Sequence, residues 1–276
     1  MTTLLAEAPR RPATTDSCRL CAPLGACLAY RGVRGVLPLI HGSQGCATYA
    51  RRFAIGHFRE PLDIACTNFS EAQAVFGGEE RLGAAITHVV ERYQPEALGL
   101  ATSCLSETIG EDVAAAVVRL RQRMPGLPPI ALASTASYRG THLDGWRAGT
   151  DALLAALAAD GPAEARLAVL PPLCSCADLH ELRRFVRACG SEPILLPDFS
   201  ATLDAPLGRR AVDGTGVRDV AACTRASGVV VLGATLGPAG RRLATEHGRE
   251  VTRCDWPLGL EACERFERHL TTRVGR

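Results

Sequence analysis

Three cysteines sit in local sequence that ordinary packing does not demand. Cys21 opens Cys-Ala-Pro-Leu-Gly-Ala (21–26), just ahead of a helical run. Cys46 closes His-Gly-Ser-Gln-Gly-Cys (41–46), and Cys104 lies in Thr-Ser-Cys-Leu-Ser-Glu-Thr-Ile-Gly (102–110); each follows a strand-like run. Thiolate sulfur is the natural ligand of iron–sulfur clusters and a common ligand of zinc. Helix N-termini favour the thiolate form. Gly42, Gly45 and Gly110 let backbone come close to a bulky group. A four-iron cluster takes four cysteines, so three on one chain make an incomplete set. Cys18, which forms Cys-x-x-Cys with Cys21, is one candidate for the fourth, and a ligand set shared with a partner chain is the other route. Spacing alone leaves an iron–sulfur centre, a zinc site and plain buried thiols open.

The remaining polar candidates have plainer readings. Cys27, Cys66, Cys189, Cys223, Cys254 and Cys263 stand in apolar or helical patterns without metal-type spacing and read as small buried hydrophobes. Cys174 and Cys176 form Cys-x-Cys before a helix with no third ligand nearby. His41 ends a strand beside the Cys46 loop, where it either meets a sulfur or satisfies local backbone. Arg59 and Glu60 read as an interface pair or an ordinary surface ion pair. Glu107, at a helix start, reads as a capping carboxylate. Phe76 precedes a Gly-Gly turn; it either packs under its own loop or stands out as an interface anchor.

Positioning these groups requires short strands that deliver loops to one edge. Val36–Ile40, Ala97–Ala101 and Ile130–Ser134 are short, apolar and bounded by Gly or Pro, the pattern of buried parallel strands. Helical runs at Ala22–Tyr30, Gln44–Ile55, Glu79–Arg92, Glu107–Met124 and Gly140–Ala159 alternate with them, which predicts βαβ units. A turn-rich stretch at Ala158–Ala165 follows. The same grammar then restarts, with strands at Leu167–Leu170, Ile194–Leu196 and Val229–Leu232 and helices at Asp178–Cys189, Val217–Arg225 and Ala239–His247. The expected fold is α/β: two Rossmann-like domains, each a parallel sheet flanked by helices, at 17–162 and 163–276 after a disordered tail at 1–16. In such sheets ligands bind beyond the carboxyl ends of the strands, where Cys46 and Cys104 both fall.

Composition narrows the function classes. The 276 residues carry a formal net charge of +2 and are 47% hydrophobic, which fits a globular protein and offers no basic surface for nucleic acid. All 31 basic residues are arginine, a bias that a GC-rich genome accounts for. No stretch of about 18 apolar residues predicts a membrane span, and Met1–Asp16 lacks a secretory pattern. The expected location is the cytoplasm, where 12 cysteines point to metal ligation or reactive thiols more than to disulfides.

Residues 18 to 112 resemble the β-type subunits of the nitrogenase component 1 family. Five segments match in order and spacing: Cys-Ala-Pro-Leu-Gly-Ala (21–26), His-Gly-Ser-Gln-Gly-Cys-Ala-Thr-Tyr (41–49), His-Phe-Arg-Glu-Pro (57–61), Val-Phe-Gly-Gly (75–78) and Thr-Ser-Cys-Leu-Ser-Glu-Thr-Ile-Gly-Glu-Asp (102–112). Asp-Ile-Ala (63–65), Tyr-Arg-Gly-Thr-His (138–142), Leu-Leu-Pro-Asp-Phe-Ser-Ala-Thr-Leu-Asp (195–204) and Pro-Leu-Gly-Leu (257–260) extend the likeness toward the branch that scaffolds iron–molybdenum cofactor assembly for nitrogen fixation.

That resemblance implies a role for each matching position. Cys21, Cys46 and Cys104 fall on the β-side ligands of a bridging [4Fe-4S] cluster shared with the partner subunit. Ser137 falls where the catalytic β subunit has a serine able to approach its cluster. Phe76 falls where the family docks its ATP-dependent reductase, the Fe protein. The implied partners are an α-type scaffold subunit (NifE-like) in an α2β2 assembly, the Fe protein, and a NifB-type precursor donor or a carrier. The cofactor precursor itself would be held mainly by the α-type partner. Family members contain three α/β domains, and the resemblance implies that the two expected here correspond to the first two, with the third absent. The leading expectation is therefore an oxidoreductase-like subunit acting as a maturation scaffold. A catalytic β subunit of a nitrogenase or nitrogenase-like reductase is the second, and a truncated, non-enzymatic interaction protein the third.

Overall fold

The computed structural model describes residues 20–58, 62–203 and 214–274. Cys18, the 1–16 segment, Arg59 and Glu60 lie outside the described residues. Two parallel sheets of four strands organise the chain. The first holds β1 (Val36–His41), β2 (Ala65–Cys66), β3 (Ala97–Thr102) and β4 (Ile130–Ala133) in the order β2-β1-β3-β4. The second holds β5 (Glu164–Leu170), β6 (Glu192–Leu195), β7 (Ala226–Leu232) and β8 (Val251–Cys254) in the order β6-β5-β7-β8, the same topology again. Every pairing is parallel. β3 is buried along its whole length, as a strand covered on both faces must be, and so reads as an unbroken apolar run.

Helices α1 (Ala22–Arg31), α2 (Gln44–Ile55), α3 (Glu71–Phe76), α4 (Glu79–Tyr93), α5 (Cys104–Thr108), α6 (Val113–Arg123) and α7 (His142–Leu157) surround the first sheet. Around the second lie α8 (Cys176–Ala188), α9 (Ser200–Leu203), α10 (Val217–Cys223), α11 (Gly237–His247) and α12 (Leu260–Val274). The helix predicted over Glu107–Met124 is two helices. Gly110 takes φ 75°, a left-handed geometry that ends α5, and Asp112 starts α6 by accepting the Ala115 amide at 2.9 Å. The sequence reading also missed β2, β8, α3 and α9, and of α12 it saw only the end, reading a helix at 271–276. For α3 the signal was present: Ser70 and Gln73 form a capping box.

α1 and α7 carry the packing that sets the first sheet. Residues 22–30 of α1 are all buried. The two helices cross on glycines: a Cβ on Gly25 would stand 1.8 Å from the His142 carbonyl oxygen, and one on Gly145 1.8 Å from that of Ala22. α7 also meets α10 and α11, so it joins the two halves. One apolar core runs from Leu24 and Trp146 through to Val230 and Phe266, and a smaller one lies between β1 and β3 and helices α4 and α6.

Candidate cluster-binding site

In the first sheet the chain runs outward from β1 to β2 on one side and from β3 to β4 on the other. The crevice between β1 and β3 is thus the topological switch point, where open α/β sheets bind ligands. Cys46 lies in the first turn of α2, after β1, and Cys104 is the first residue of α5, after β3. The two loops are built together. The Ser103 amide donates to the His41 carbonyl at 3.1 Å, and a Cβ on Gly42 would stand 2.2 Å from Ser103 Oγ. Gly42 is needed there for close approach. Its amide donates to Thr67 Oγ1 at 2.9 Å, and its carbonyl accepts from the Phe69 amide at 2.9 Å.

Cys21 arrives from a different direction, as the N-cap of α1. The His142 amide donates to the Leu20 carbonyl at 2.8 Å and fixes the chain just before it. Ser137 then ties Cys21 to Cys104: its Oγ accepts the Ala22 amide at 3.2 Å, and its own amide donates to Cys104 Sγ at 3.2 Å. Ser43 Oγ stands 3.7 Å from Cys46 Sγ. Cys46 and Cys104 are half-buried; Cys21 is exposed as a residue, while the protein packed around its sulfur still desolvates the thiol.

The Cys21 thiol feels the charges of Cys46 and Cys104. The Cys21 thiol is pushed up first by desolvation. The Leu24 amide draws it down, and the charges of Cys46 and Cys104 raise it further. The expected helix bias toward thiolate therefore loses at Cys21, because burial and two like-charged neighbours outweigh a few backbone amides. Among the described residues no group of three or more His, Cys, Asp or Glu side chains is arranged to hold a single metal ion.

Several other candidates have other partners than those expected. His41 meets neither a sulfur nor local backbone: its Nε2 lies 2.9 Å from Glu111 Oε2, and its ring packs edge-on against Phe69 at 4.7 Å. Glu107 is not a cap, since Ser103 and Ser106 close the capping box of α5. Its carboxylate accepts from Thr102 Oγ1 at 2.6 Å and Ser134 Oγ at 2.5 Å, joining the ends of β3 and β4, and Arg139 pairs with it at 3.5 Å. Phe76 does not pack under its loop; it is 87% exposed. Burial pushes the Cys174 thiol up to about 12, and Cys176 is buried with its Sγ toward the Phe199 carbonyl. Cys27 and Cys223 are fully buried, as a packing role requires. Glu111 is the residue that sequence reasoning passed over, because its partners lie 70 and 33 residues away.

Comparison with known proteins agrees with this architecture. A family model described as nitrogenase component 1 type oxidoreductase matches residues 21–276. The cofactor biosynthesis protein NifN of Rippkaea orientalis is 30% identical over 94% of this chain and 60% of its own length. NifN of Rhodobacter capsulatus is 33% identical over 81% of this chain and 51% of its own length. The nitrogenase molybdenum–iron protein beta chain of Methanococcus maripaludis is 30% identical over 96% of this chain and 61% of its own. The solved structure of nitrogenase Cp1 at pH 6.5 superposes with a TM-score of 0.88 at 27% identity, covering 100% of this chain and 61% of that one. The chain thus spans 51–61% of the length of these relatives. No helix among the described residues is long and apolar enough to cross a membrane. On the strength of the matched motifs, the paired parallel sheets and these relatives, the chain belongs to the nitrogenase component 1 type oxidoreductase family.

Proposed function

We propose that this chain is the β-type half of a cofactor-assembly scaffold, in which Cys21, Cys46 and Cys104 hold one side of a bridging [4Fe-4S] cluster and an α-type partner supplies the rest. The observation that supports the reading is the joining of the Cys46 and Cys104 loops at the switch point of the first sheet, with Ser137 bonded both to Cys104 Sγ and to the amide that follows Cys21. The donor set fits the group. Thiolates are its ligands, the Ser137 amide already points at one sulfur, and Gly42 removes the bulk that would part the two strand-end loops. The bound cluster would supply one-electron transfer. The chain's own residues orient the thiols and limit water around them.

A partner is required by the incomplete ligand set, and α2 offers the surface. Cys46, Tyr49 and Phe53 follow one another at helical spacing, Tyr49 is 68% exposed, and its ring lies 5.3 Å from that of Phe53. An apolar face that begins at a cluster ligand is suited to the chain that shares the cluster. Exposed Phe76 is the proposed docking point for the Fe protein, with Ser137 as an additional cluster contact. The cofactor precursor would rest mainly on the partner.

The test is copurification with a NifE-like α-type subunit, anaerobic reconstitution, metal analysis and low-temperature EPR. About four irons per heterodimer with little zinc is the expected result. A heterodimer without an iron–sulfur signal, or one loaded with zinc, overturns the reading. The likeness to molybdenum–iron protein beta chains supports a second reading, a catalytic β subunit. Substrate reduction by the purified complex with Fe protein and ATP separates the two.

A further inference from the structure

Glu111 stands outside the thiol set, yet its carboxylate joins two places that the proposed function keeps apart. One oxygen meets His41 Nε2 at 2.9 Å; the other accepts the Gly78 amide. Only 13% of the side chain is exposed, and His41 is buried to 1%. At the far end, Gly78 lies two residues after the exposed ring of Phe76. At the near end, His41 is the last residue of β1. Its carbonyl receives the amide of Ser103, next to Cys104, and its chain continues through Gly42 to Cys46.

A second link runs beside the first. The Phe69 ring packs edge-on against His41, and a Cβ on Gly78 would stand 2.1 Å from Phe69 Cζ. The Phe69 amide is itself bound to the Gly42 carbonyl at 2.9 Å. The Gly-Gly turn is specific to this arrangement. Gly77 has φ 90°, which only glycine adopts readily, and Gly78 leaves room for the Phe69 ring and the Glu111 carboxylate. A buried carboxylate with both oxygens engaged is a stiff connector, since releasing either bond leaves a polar group unpaired.

We propose that Glu111 and His41 form a positioning relay between the Phe76 turn and the loops that carry Cys46 and Cys104, so that a protein covering Phe76 resets the cysteine loops. The idea rests on the docking and cluster roles proposed above. Glu111 touches no thiol; it acts through His41 and the strand end.

Two measurements test it. In the heterodimer with reconstituted cluster, Fe protein is added and the cluster's EPR signal and midpoint potential are followed. Wild type is expected to change on binding. Glu111→Ala and Glu111→Asp, the latter keeping the charge but one methylene too short to span both partners, are expected to bind Fe protein within about twofold of wild type and to lose the change. Glu111→Gln, which retains length and an acceptor, is expected to restore it. A change of wild-type size in Glu111→Ala or Glu111→Asp, or no change in a wild-type complex that holds its cluster, overturns the relay. Amide exchange in the unloaded full chain reads the connection directly. Glu111→Ala and Glu111→Asp should speed exchange about tenfold both at Gly77–Gly78 and across Gly42–Cys46, the effect of one lost hydrogen bond felt at both ends. Acceleration confined to the Gly77–Gly78 turn overturns the relay. A wild-type complex without cluster sinks the proposed function instead, and the exchange result still decides the relay.

Discussion

The hydroxyl of Ser137 and its amide face two different cysteine loops, and that makes the side chain more than a neighbour of the site. Ser137→Ala removes the acceptor of the Ala22 amide, which sits in a buried stretch. An orphaned buried donor costs about 1–3 kcal/mol. Urea unfolding of the isolated chain should show a loss of that size with an unchanged m-value. Since the amide of residue 137 still points at Cys104, the variant should retain part of its iron after reconstitution.

Cys21 supplies a second prediction at this scale. Its pKa is raised by burial first and by the charges of Cys46 and Cys104 after the opposing Leu24 amide. Replacing those two neighbours with serine removes the charge repulsion and leaves the burial. Cys21 should then ionise at lower pH than in wild type, and its alkylation in the metal-free chain should speed up at a fixed, mildly alkaline pH. Mass spectrometry of the Cys21 peptide measures this. An unchanged rate would mean that the three sulfurs do not share one neighbourhood.

Among the elements, α1 and α7 decide whether Cys21 can reach the proposed site. Gly→Ala inside a helix ordinarily gains about 1 kcal/mol of propensity. At Gly25 the sign reverses, because the new methyl would stand 1.8 Å from a backbone oxygen that cannot rotate away. Overpacking of this kind costs about 1–3 kcal/mol and more where backbone must move. Gly25→Ala should therefore lower the thermal midpoint and cut iron loading together, whereas Gly126→Ala, with nothing within 4 Å, should lower neither.

The same elements explain what the sequence made legible. β1 and β3 were readable because strands covered on both faces are plain apolar runs, and the strand-end placing of Cys46 and Cys104 followed from them. The break at Gly110 was not, since apolar periodicity over Val113–Leu120 continues past a single glycine in the pattern. β8 escaped because Val251–Cys254 is a half-exposed edge of mixed residues. The proposed approach of Cys21 to the other two depends on the α1–α7 crossing, and the Glu111 link depends on the fold of the 69–78 segment. Neither has a local signature.

Across the whole molecule, the two sheets are fastened near the crossing of their cores. The Asp198 amide donates to the Gly32 carbonyl at 2.8 Å, the Arg34 amide to the Thr215 carbonyl at 2.8 Å, and buried Asp198 pairs with Arg183. Trp146 and Phe199 meet edge to face at 5.7 Å within the same interior. A body fastened in this way presents its apolar surface at fixed places, with Tyr49 and Phe53 on α2 among them. In the proposed complex an α-type subunit that completes the ligand set approaches Cys46, and the side chains one and two turns along from it are suited to anchor it. Tyr49→Asp gives up an exposed aromatic pair, at a cost to the chain of no more than about 1 kcal/mol. Against the partner it places a charge in what should be a dry contact. The dissociation rate measured by biolayer interferometry should rise at least about tenfold, with the association rate far less affected. Tyr93→Asp, on an exposed ring at the far end of α4, is the matched control and should leave both rates alone. Equal binding by wild type and Tyr49→Asp would move the partner off α2, and with it the shared cluster.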